Sequence, residues 1–273
     1  MRIAQSLHIK QAVIYLKVIS IFNQKGGVGK TTTSINLCAF LALNGYNVLS
    51  IDIDPQGNTT SGLGFDKRSI ETSIYDVLTS DASIDSAIKK CELVDNFYLL
   101  PSTVELSGAE VELIHVPKRE SILKNKLEQM KERFDFVFID CPPSLGFLTI
   151  NALTASDSVL IPIQCEFYAL EGVGQLLNTI NLVKKSLNRD IEVEGVLLSM
   201  FDSRARLSNE VMNEVKTHFK DKVYETVIPR NVRLAEAPSF GLPIMLYDDR
   251  CKGSEAYEQL AKEFISRQGR QEY

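Results

Sequence analysis

Residues 18–32 read Val-Ile-Ser-Ile-Phe-Asn-Gln-Lys-Gly-Gly-Val-Gly-Lys-Thr-Thr, and this stretch decides the fold. The apolar, β-branched run at 18–22 predicts a buried strand, and the apolar spacing over 30–44 predicts a helix. A second strand is predicted at 47–52. Strand, glycine-rich turn, helix and strand follow one another within about 35 residues, the pattern of a βαβ unit.

The turn between the first strand and helix has the chemistry of a phosphate site. Gly29, Lys30 and Thr31 match the end of the P-loop motif, whereas its first glycine is replaced by Gln24. Glycines allow successive N–H groups to face one anion, and the helix N-terminus adds a positive field. Lys30 would neutralise β- and γ-phosphate oxygens, and the Thr31 hydroxyl is a Mg²⁺ ligand type. The alternative is a glycine-rich turn without a ligand.

Two of the predicted strands, the one at 47–52 and a later one, lead into carboxylates. Asp54 lies in Ile-Asp-Ile-Asp-Pro-Gln at 51–56, and Asp140 lies in Phe-Ile-Asp-Cys-Pro-Pro at 138–143. Ligands of open α/β sheets bind at the carboxyl ends of the strands. We therefore expect Asp140 to hold Mg²⁺, directly or through water, and Asp54 to orient the attacking water or touch the metal sphere. Either residue alone would also fit a solvated strand end.

The rest of the chain continues the alternation of strands and helices. Strands are predicted at 134–139, 158–163, 191–200 and 222–228, and helices at 169–187, 204–219 and 254–267. Residues 61–126 are the least regular, and we expect short helices there. The predicted fold class is α/β: a doubly wound, mostly parallel sheet with helices on both faces. Residues 17–267 form one domain, between an extension at 1–16 and a tail at 268–273.

Composition excludes several classes of protein. The 273 residues are 44% apolar and 24% charged, as in a globular protein, and the net charge of −5 gives no whole-chain basicity. No apolar run approaches a membrane span of about 20 residues. The five cysteines include no C-x-x-C pair, which favours a reduced, cytoplasmic setting. Residues 1–16 are expected to be a poorly ordered tail, or translation begins near Leu16.

The variant P-loop at 25–32 resembles that of the deviant Walker-type ATPases, the ParA/MinD group. Further similarity is close to the chromosomal ParA proteins called Soj and covers 17–267. It includes Asp-Ile-Asp-Pro-Gln-Gly-Asn at 52–58, Asp-Cys-Pro-Pro-Ser at 140–144 and Ile-Pro-Arg-Asn-Val-Arg-Leu at 228–234. Together these motifs are specific, whereas the P-loop variant alone would not separate ParA from MinD or the nitrogenase iron protein.

The resemblance implies a function that spacing alone does not show. Such proteins bind ATP and Mg²⁺, form an ATP-dependent homodimer, bind double-stranded DNA without sequence preference, and are released when a ParB-like partner stimulates hydrolysis. A cytoplasmic, nucleoid-associated protein is implied. The implied nucleotide-binding residues are Lys25, Gly26, Gly27, Val28, Gly29, Lys30, Thr31, Thr32, Pro229 and Asn231, the last two beside adenine. Lys25 matches the signature lysine that reaches the other subunit's phosphates, and Arg204 and Arg233 match DNA-binding positions. Lys25, Lys30 and Asp54 are the implied catalytic residues, and Thr31, Asp54 and Asp140 the implied metal-site residues.

Other functions within this group make different demands on the sequence. A MinD-like, membrane-associated division-site ATPase should end in a basic amphipathic helix. Residues 254–273 instead mix acidic and basic side chains around an apolar stripe, which favours a packed helix. A carrier with a bridging metal cluster would need paired cysteines from two subunits, and nothing marks the second substrate of a P-loop amide ligase. For Arg204 and Arg233, surface ion pairs with Asp202 and Glu236 are the alternative to DNA contact.

Overall fold

A computed structural model of the chain describes residues 16–166 and 171–269. Its sheet has seven strands in the order β3-β4-β2-β5-β1-β6-β7. The strands are β1 (Lys17–Ile21), β2 (Val48–Asp52), β3 (Lys89–Lys90), β4 (Phe97–Leu100), β5 (Phe136–Asp140), β6 (Ser158–Gln164) and β7 (Glu192–Ser199). The short β3 pairs antiparallel with β4, and the other strand pairs are parallel. The prediction of a mostly parallel sheet is confirmed.

Helices cover both faces of the sheet. They are α1 (Lys30–Leu43), α2 (Asn58–Gly62), α3 (Ile74–Thr79), α4 (Ile84–Ala87), α5 (Ala109–Glu112), α6 (Ile122–Leu127), α7 (Phe147–Ala155), α8 (Glu171–Ser186), α9 (Arg206–Phe219), α10 (Val232–Glu236), α11 (Ile244–Tyr247) and α12 (Lys252–Gln268). Apolar residues of α1 and α12 pack on one face, and those of α7, α8 and α9 pack on the other. Both core layers are therefore buried against helices, as the sequence predicts for a parallel sheet.

The strand β5 shows how alternation supplies both core layers. Phe136 and Phe138 face the α1/α12 layer, where Phe136 lies edge-on to Phe264 at 5.2 Å between ring centroids. Val137 and Ile139 face the opposite layer. Side chains of a strand alternate between faces, so a strand that is apolar throughout is stable only between two covered faces.

The segment predicted as a strand at 222–228 differs from the prediction. It runs parallel to β7 but makes only isolated bridges, between Val196 and Val223 and between Phe201 and Pro229. The backbone N–H groups of Tyr224 and Ile228 donate to the carbonyl oxygens of Val196 and Leu198. Between these two bonds the segment advances by four residues, whereas β7 advances by only two. The surplus residues bulge away, and the N–H groups at 225 and 226 instead donate to the Glu263 carboxylate.

The irregular region at 61–126 contains the expected short helices, and it also contains two strands that were not predicted. β3 and β4 extend the sheet on the β2 side. Other elements match their predicted positions within two residues, although α9 begins at Arg206 and leaves Arg204 in the preceding turn. Of the predicted extension at 1–16, only Leu16 lies within the described residues, and of the predicted tail, 270–273 lies outside them.

Two further findings concern membrane-spanning helices and the state of the cysteines. Within 16–166 and 171–269, no helix combines the length and apolar character needed to cross a bilayer. All five cysteines are free thiols, and Cys38, Cys91, Cys141 and Cys165 are buried. Burial raises the pKa of the Cys165 thiol to about 11, so at neutral pH this group stays protonated and behaves as a small apolar side chain.

Candidate functional site: a nucleotide cleft at the carboxyl ends of the strands

The turn from β1 to α1 has the backbone shape of a phosphate cradle. Gly27 and Gly29 have φ angles of 74° and 92°, a left-handed region that disfavours side chains. Lys30 follows as the first residue of α1, so the N-terminal N–H groups of this helix face the same space. The buried Val28 carbonyl accepts a hydrogen bond from Ser199 Oγ at 2.8 Å, which ties the turn to the end of β7.

Lys30 presents a partly dehydrated ammonium beneath this turn. Its Nζ donates to the Lys25 carbonyl oxygen at 3.1 Å. Burial lowers the pKa of Lys30, and the nearby charge of Asp140 opposes that effect. An ammonium that has lost part of its water gains more from an anion than an exposed one does. The Lys30 ammonium therefore lies where an anion bound in the turn would be stabilised by its charge.

Asp140 ends β5 beside the turn and forms the centre of the acidic site. Its Oδ2 accepts hydrogen bonds from the hydroxyls of Thr31 and Thr59, each at 2.8 Å. Its Oδ1 is buried and has no hydrogen-bond partner among the described residues. Burial, the largest cause, raises the pKa of Asp140 to about 6. A buried carboxylate oxygen that accepts no hydrogen bond is suited to bind a cation. The carboxylate of Asp140 and the hydroxyl of Thr31 are both hard oxygen ligands of the kind that Mg²⁺ prefers.

A magnesium ion here would need ligands from outside the protein. Within the described part of the chain, no cluster of three or more His, Cys, Asp or Glu side chains could hold a metal. Mg²⁺ commonly binds one or two protein oxygens and completes its octahedron with phosphates and water. Asp140 and Thr31 supply such a partial set, so the site suits a metal–nucleotide complex better than a free ion.

The other predicted acid, Asp54, lies on the loop after β2 and lines a cavity together with Lys30 and Thr31. Its Oδ1 accepts the Gln56 N–H at 2.9 Å, which holds the carboxylate in an Asx turn. The cavity measures about 530 Å³ and also includes Gly26, Gly27 and Pro143. The structure thus brings Asp54, Lys30, Thr31 and the glycines together around one space, as the sequence predicts.

A second, mostly apolar cavity of about 330 Å³ adjoins the first, because both are lined by Gly29, Thr32 and Met200. Pro229 and Asn231, expected on the adenine side, both line it, and Tyr257 of α12 contributes a wall. A polar cavity joined to an apolar one suits the phosphates and the base of a nucleotide. The two cavities together form what we call the nucleotide cleft.

Several residues of the site were not singled out in the sequence. Asp52 is fully buried beside Asp140, and burial is the first cause that raises its pKa to about 7. Thr59 binds Asp140, and Ser199 binds the P-loop turn. Met200, at the junction of the two cavities, has a φ of 51°. The sequence held a signal only for Asp52, which is the first acid of the Asp-Ile-Asp motif.

The Lys25 side chain extends away from the nucleotide cleft and lines neither of its cavities. Its ammonium lies 3.3 Å from Glu166 Oε2, and 41% of the side chain is exposed. The same carboxyl group lies 3.6 Å from the Arg230 guanidinium. Lys25 therefore differs from Lys30, whose ammonium is buried below the turn.

The two arginines expected to bind DNA lie outside the cleft. Arg204 pairs with Asp202 at 3.1 Å, and Arg233 pairs with Glu236 at 2.8 Å and with Asp248 at 3.4 Å. The bridge between Phe201 and Pro229 brings the two connections side by side at one sheet edge. The pairs with Asp202 and Glu236 are the ones that the alternative interpretation named, the pair with Asp248 was not predicted, and both guanidiniums remain accessible.

Known proteins are similar to this chain in both sequence and fold. A family model described as an AAA domain matches residues 16–193. The sporulation initiation inhibitor protein Soj of Bacillus subtilis is 60% identical over 247 residues, covering 90% of this chain and 97% of the relative. The chromosome partitioning protein ParA of Myxococcus xanthus is 52% identical over 251 residues, covering 92% and 88%.

A solved structure matches the fold over nearly its whole length. Cobyrinic acid a,c-diamide synthase from Mycobacterium smegmatis, with bound ADP and magnesium, superposes with a TM-score of 0.81 at 37% identity. The match covers 93% of this chain and 96% of that one. The sequence similarity to Soj and ParA, the similarity of fold and the P-loop residues that line the nucleotide cleft all indicate the same family. The chain belongs to the ParA/MinD family of P-loop ATPases.

Proposed function

We propose that the chain is a chromosome or plasmid partition ATPase that dimerises on ATP, binds DNA without sequence preference and is released by hydrolysis that a ParB-like partner stimulates. The observation that carries the proposal is the nucleotide cleft with its P-loop turn, and the unsatisfied Asp140 oxygen beside Thr31 of that cleft, in a chain 60% identical to Soj. ATP and Mg²⁺ are its cofactors.

Nucleotide binding is assigned to residues of the two cavities. The N–H groups of Gly26, Gly27, Val28, Gly29, Lys30, Thr31 and Thr32 are available to the phosphates. Lys30 adds a buried positive charge. Pro229 and Asn231 line the apolar cavity assigned to adenine. Mg²⁺, held through Thr31 and Asp140 and approached by Asp54, would neutralise phosphate charge during phosphoryl transfer.

Hydrolysis requires a positioned water and a stabilised leaving group. Asp54 lines the phosphate cavity, and its Asx turn fixes one carboxylate oxygen. We assign it to orient the attacking water. Catalysis of phosphoryl transfer depends mainly on such positioning and on charge stabilisation, to which Lys30 and Lys25 contribute.

Lys25 is assigned to the phosphates of the partner subunit. Its exposed ammonium is directed to Glu166 rather than into its own cleft. An exposed ion pair at 3.3 Å is easily exchanged for a more favourable anion. A lysine that completes the other subunit's site links dimerisation to the γ-phosphate, so hydrolysis releases the dimer.

DNA binding is assigned to Arg204 and Arg233. Both are exposed, and the adjacent connections that carry them would place them on one face of the dimer. Their ion pairs are compatible with this role because exposed pairs contribute little and are screened by salt. Dimerisation doubles the number of arginines that can reach DNA phosphates, which compensates for the net negative charge of the chain. A cytoplasmic, nucleoid-associated location follows from this activity.

The MinD-like alternative requires a membrane-binding helix, and the features of α12 argue against one. Tyr257, Leu260, Ala261 and Phe264 are buried in the core beside α1 and the sheet. The outward side carries the Glu258–Lys262 ion pair. An apolar face that is already packed leaves little to insert into lipid. The synthase activity in the name of the Mycobacterium smegmatis structure belongs to a protein of lower identity than Soj.

The test combines size-exclusion chromatography with DNA pelleting, each in the presence of ATP and of ADP. The proposal expects a dimer that pellets with DNA only with ATP and Mg²⁺. Lys30→Gln should abolish both results, and Lys262→Gln, at an exposed lysine, serves as the matched control. If the chain stays monomeric in ATP and does not pellet with DNA, this function is excluded. Vesicle sedimentation would then test the MinD-like, membrane-associated function.

A further inference from the structure

The short helix α2 is joined to the sheet through two neighbouring threonines that bind two neighbouring carboxylates. Thr59 Oγ1 donates to Asp140 Oδ2 at 2.8 Å. Thr60 donates to Asp52 Oδ2 through its N–H at 2.8 Å and its hydroxyl at 2.7 Å. Asp52 and Asp140 are register partners on β2 and β5. The helix therefore lies across the ends of both strands.

Asp52 connects this helix to the loop that carries Asp54. Its second oxygen, Oδ1, accepts the Asp54 N–H at 3.3 Å. Thr60 Oγ1 in turn accepts the Ser102 N–H at 2.9 Å, which adds the connection after β4. Asp52 is fully buried, whereas Asp54 lines the phosphate cavity. Asp52 is thus placed to act on the loop and not on the nucleotide.

Apart from the exposed Lys67, whose ammonium donates to the Gln56 carbonyl at 2.7 Å, the hydrogen bonds of this loop leave the Asp54 position dependent on Asp52 and on α2. The sheet pairing ends one residue earlier, where the Ile53 N–H donates to the Asp140 carbonyl at 3.2 Å. Beyond it, the Gln56 and Gly57 N–H groups bond back to Asp54 itself, at 2.9 Å each. Such local bonds set the shape of a turn, but they do not fix its place relative to the sheet.

We propose that Asp52 and Thr60 form a clasp that fixes Asp54 in its working position, and that both are positioning residues for hydrolysis. A buried carboxylate that accepts N–H and O–H donors makes strong, directional bonds. Displacement of a reacting group by about 1 Å lowers rates by about 100-fold. The catalytic part of the proposal rests on the function proposed above, whereas the clasp itself does not.

The main variant is Thr60→Val, which keeps the shape of the side chain and removes its hydroxyl. Asp52 then loses one donor and the Ser102 N–H loses its acceptor. Thr60→Ser restores the hydroxyl and should restore the parental behaviour. Thr154→Val is the matched control, because Thr154 is 1% exposed and its hydroxyl has no partner among the described residues. Asp52→Asn supplies a second variant if Thr60→Val does not fold, which circular dichroism checks.

The first measurement is amide hydrogen exchange of residues 53–62 without nucleotide, so it does not depend on ATPase activity. Thr60→Val should raise exchange there by about tenfold, the effect of removing one strong buried hydrogen bond. Thr60→Ser and Thr154→Val should exchange at the parental rate. Parental exchange in Thr60→Val and Asp52→Asn would overturn the clasp.

The second measurement separates kcat from nucleotide affinity. Thr60→Val should lower kcat by about 10- to 100-fold, with ATP affinity within about threefold of the parental value, because the P-loop is unchanged. An unchanged kcat beside raised exchange would overturn the positioning role. If the parental chain hydrolyses no ATP, the proposed function fails, and the exchange measurement still decides whether the clasp exists.

Discussion

At the level of single residues, two buried groups of opposite charge lie at the phosphate end of the nucleotide cleft: Lys30 lines it, and Asp140 lies behind Thr31, whose hydroxyl it binds. Burial lowers the pKa of Lys30 and raises that of Asp140 to about 6. Each group lacks part of the hydration it would have in water, and the described residues compensate only incompletely. A bound metal–nucleotide complex would supply an anion to Lys30 and a cation to Asp140. The cleft is therefore electrostatically prepared for that complex.

The role of Asp54 can be separated from nucleotide binding by one substitution. Asp54→Ala removes the carboxylate assigned to the attacking water and leaves the P-loop, Lys30 and Asp140 in place. We expect ATP-dependent dimerisation to persist and ATP turnover to fall by about 100-fold or more. Chromatography in ATP and a phosphate-release assay measure the two effects.

The matched control for this substitution is Asp66→Ala, at an exposed aspartate that pairs with Arg68. It should leave turnover at the parental rate. Parental turnover in Asp54→Ala would show that another group orients the water.

Among the elements, strands with strong local patterns were predictable and those defined by distant contacts were not. β5 is an apolar run followed by an acid, so both the strand and the place of Asp140 follow from the sequence. β4 has only four residues, and its pairing with β2 becomes visible only in the sheet. The segment at 222–228 has strand-like residues, but its ladder is interrupted because Glu263 binds two of its N–H groups.

The site shows the same limit at the level of its loops. Asp52 and Asp54 are equivalent in a motif, but one ends a strand and is buried while the other follows it and lines the cavity. The threonine bonds to Asp52 and Asp140 depend on how α2 folds back across β2 and β5. Sequence spacing therefore located the cleft but not the hydrogen bonds that hold its loops.

At the start of helix α10, substitutions of Asn231 can separate its role as a helix cap from its proposed role in binding the base. Asn231 is its N-cap, and its side-chain oxygen accepts the Arg233 N–H at 2.8 Å. Asn231→Asp keeps this cap but removes the amide donor available to the base. We expect Asn231→Asp to retain thermal stability and lose ATP affinity, and Asn231→Ala to lose about 1 kcal/mol of stability as well.

Thermal melts and fluorescent-nucleotide titration of the same two variants make this comparison. Unchanged ATP affinity in Asn231→Asp would leave Asn231 with a purely structural role as the helix cap.

At the scale of the whole molecule, Lys25 tests whether the active site is completed by a second subunit. Lys25→Ala removes an exposed ammonium that is directed to Glu166, so binding of nucleotide to one subunit should change by less than about threefold. The ATP-dependent dimer should no longer form, because the partner's phosphates then have no cation from across the interface. Light scattering with chromatography, beside nucleotide titration, measures both. Lys90→Ala, at another exposed lysine, is the control, and a normal dimer in Lys25→Ala would refute action in trans.

The proposed DNA-binding face is the other property that has to be tested on the assembled molecule. Arg204→Ala combined with Arg233→Ala should preserve ATP binding and dimerisation, because neither side chain lines the nucleotide cleft. DNA affinity should fall about equally for all sequences, and the salt-dependence slope should fall by roughly 1 for each DNA phosphate that the variant no longer neutralises. Binding across a salt series in ATP is the measurement.

Arg68 provides a close control for this last test, because it pairs with Asp66 at the same spacing and the same 3.1 Å distance as Arg204 pairs with Asp202. If the arginines only stabilise local turns, Arg68→Ala and the double variant should leave DNA affinity equally unchanged. If Arg204 and Arg233 bind phosphates, only the double variant should show a lower affinity and a smaller slope. Arg68 is an informative control because a guanidinium that binds a carboxylate also has the geometry to bind a phosphate. Geometry alone therefore does not distinguish the three arginines. DNA affinity depends instead on how many guanidinium groups a dimer would bring to DNA phosphates at the same time.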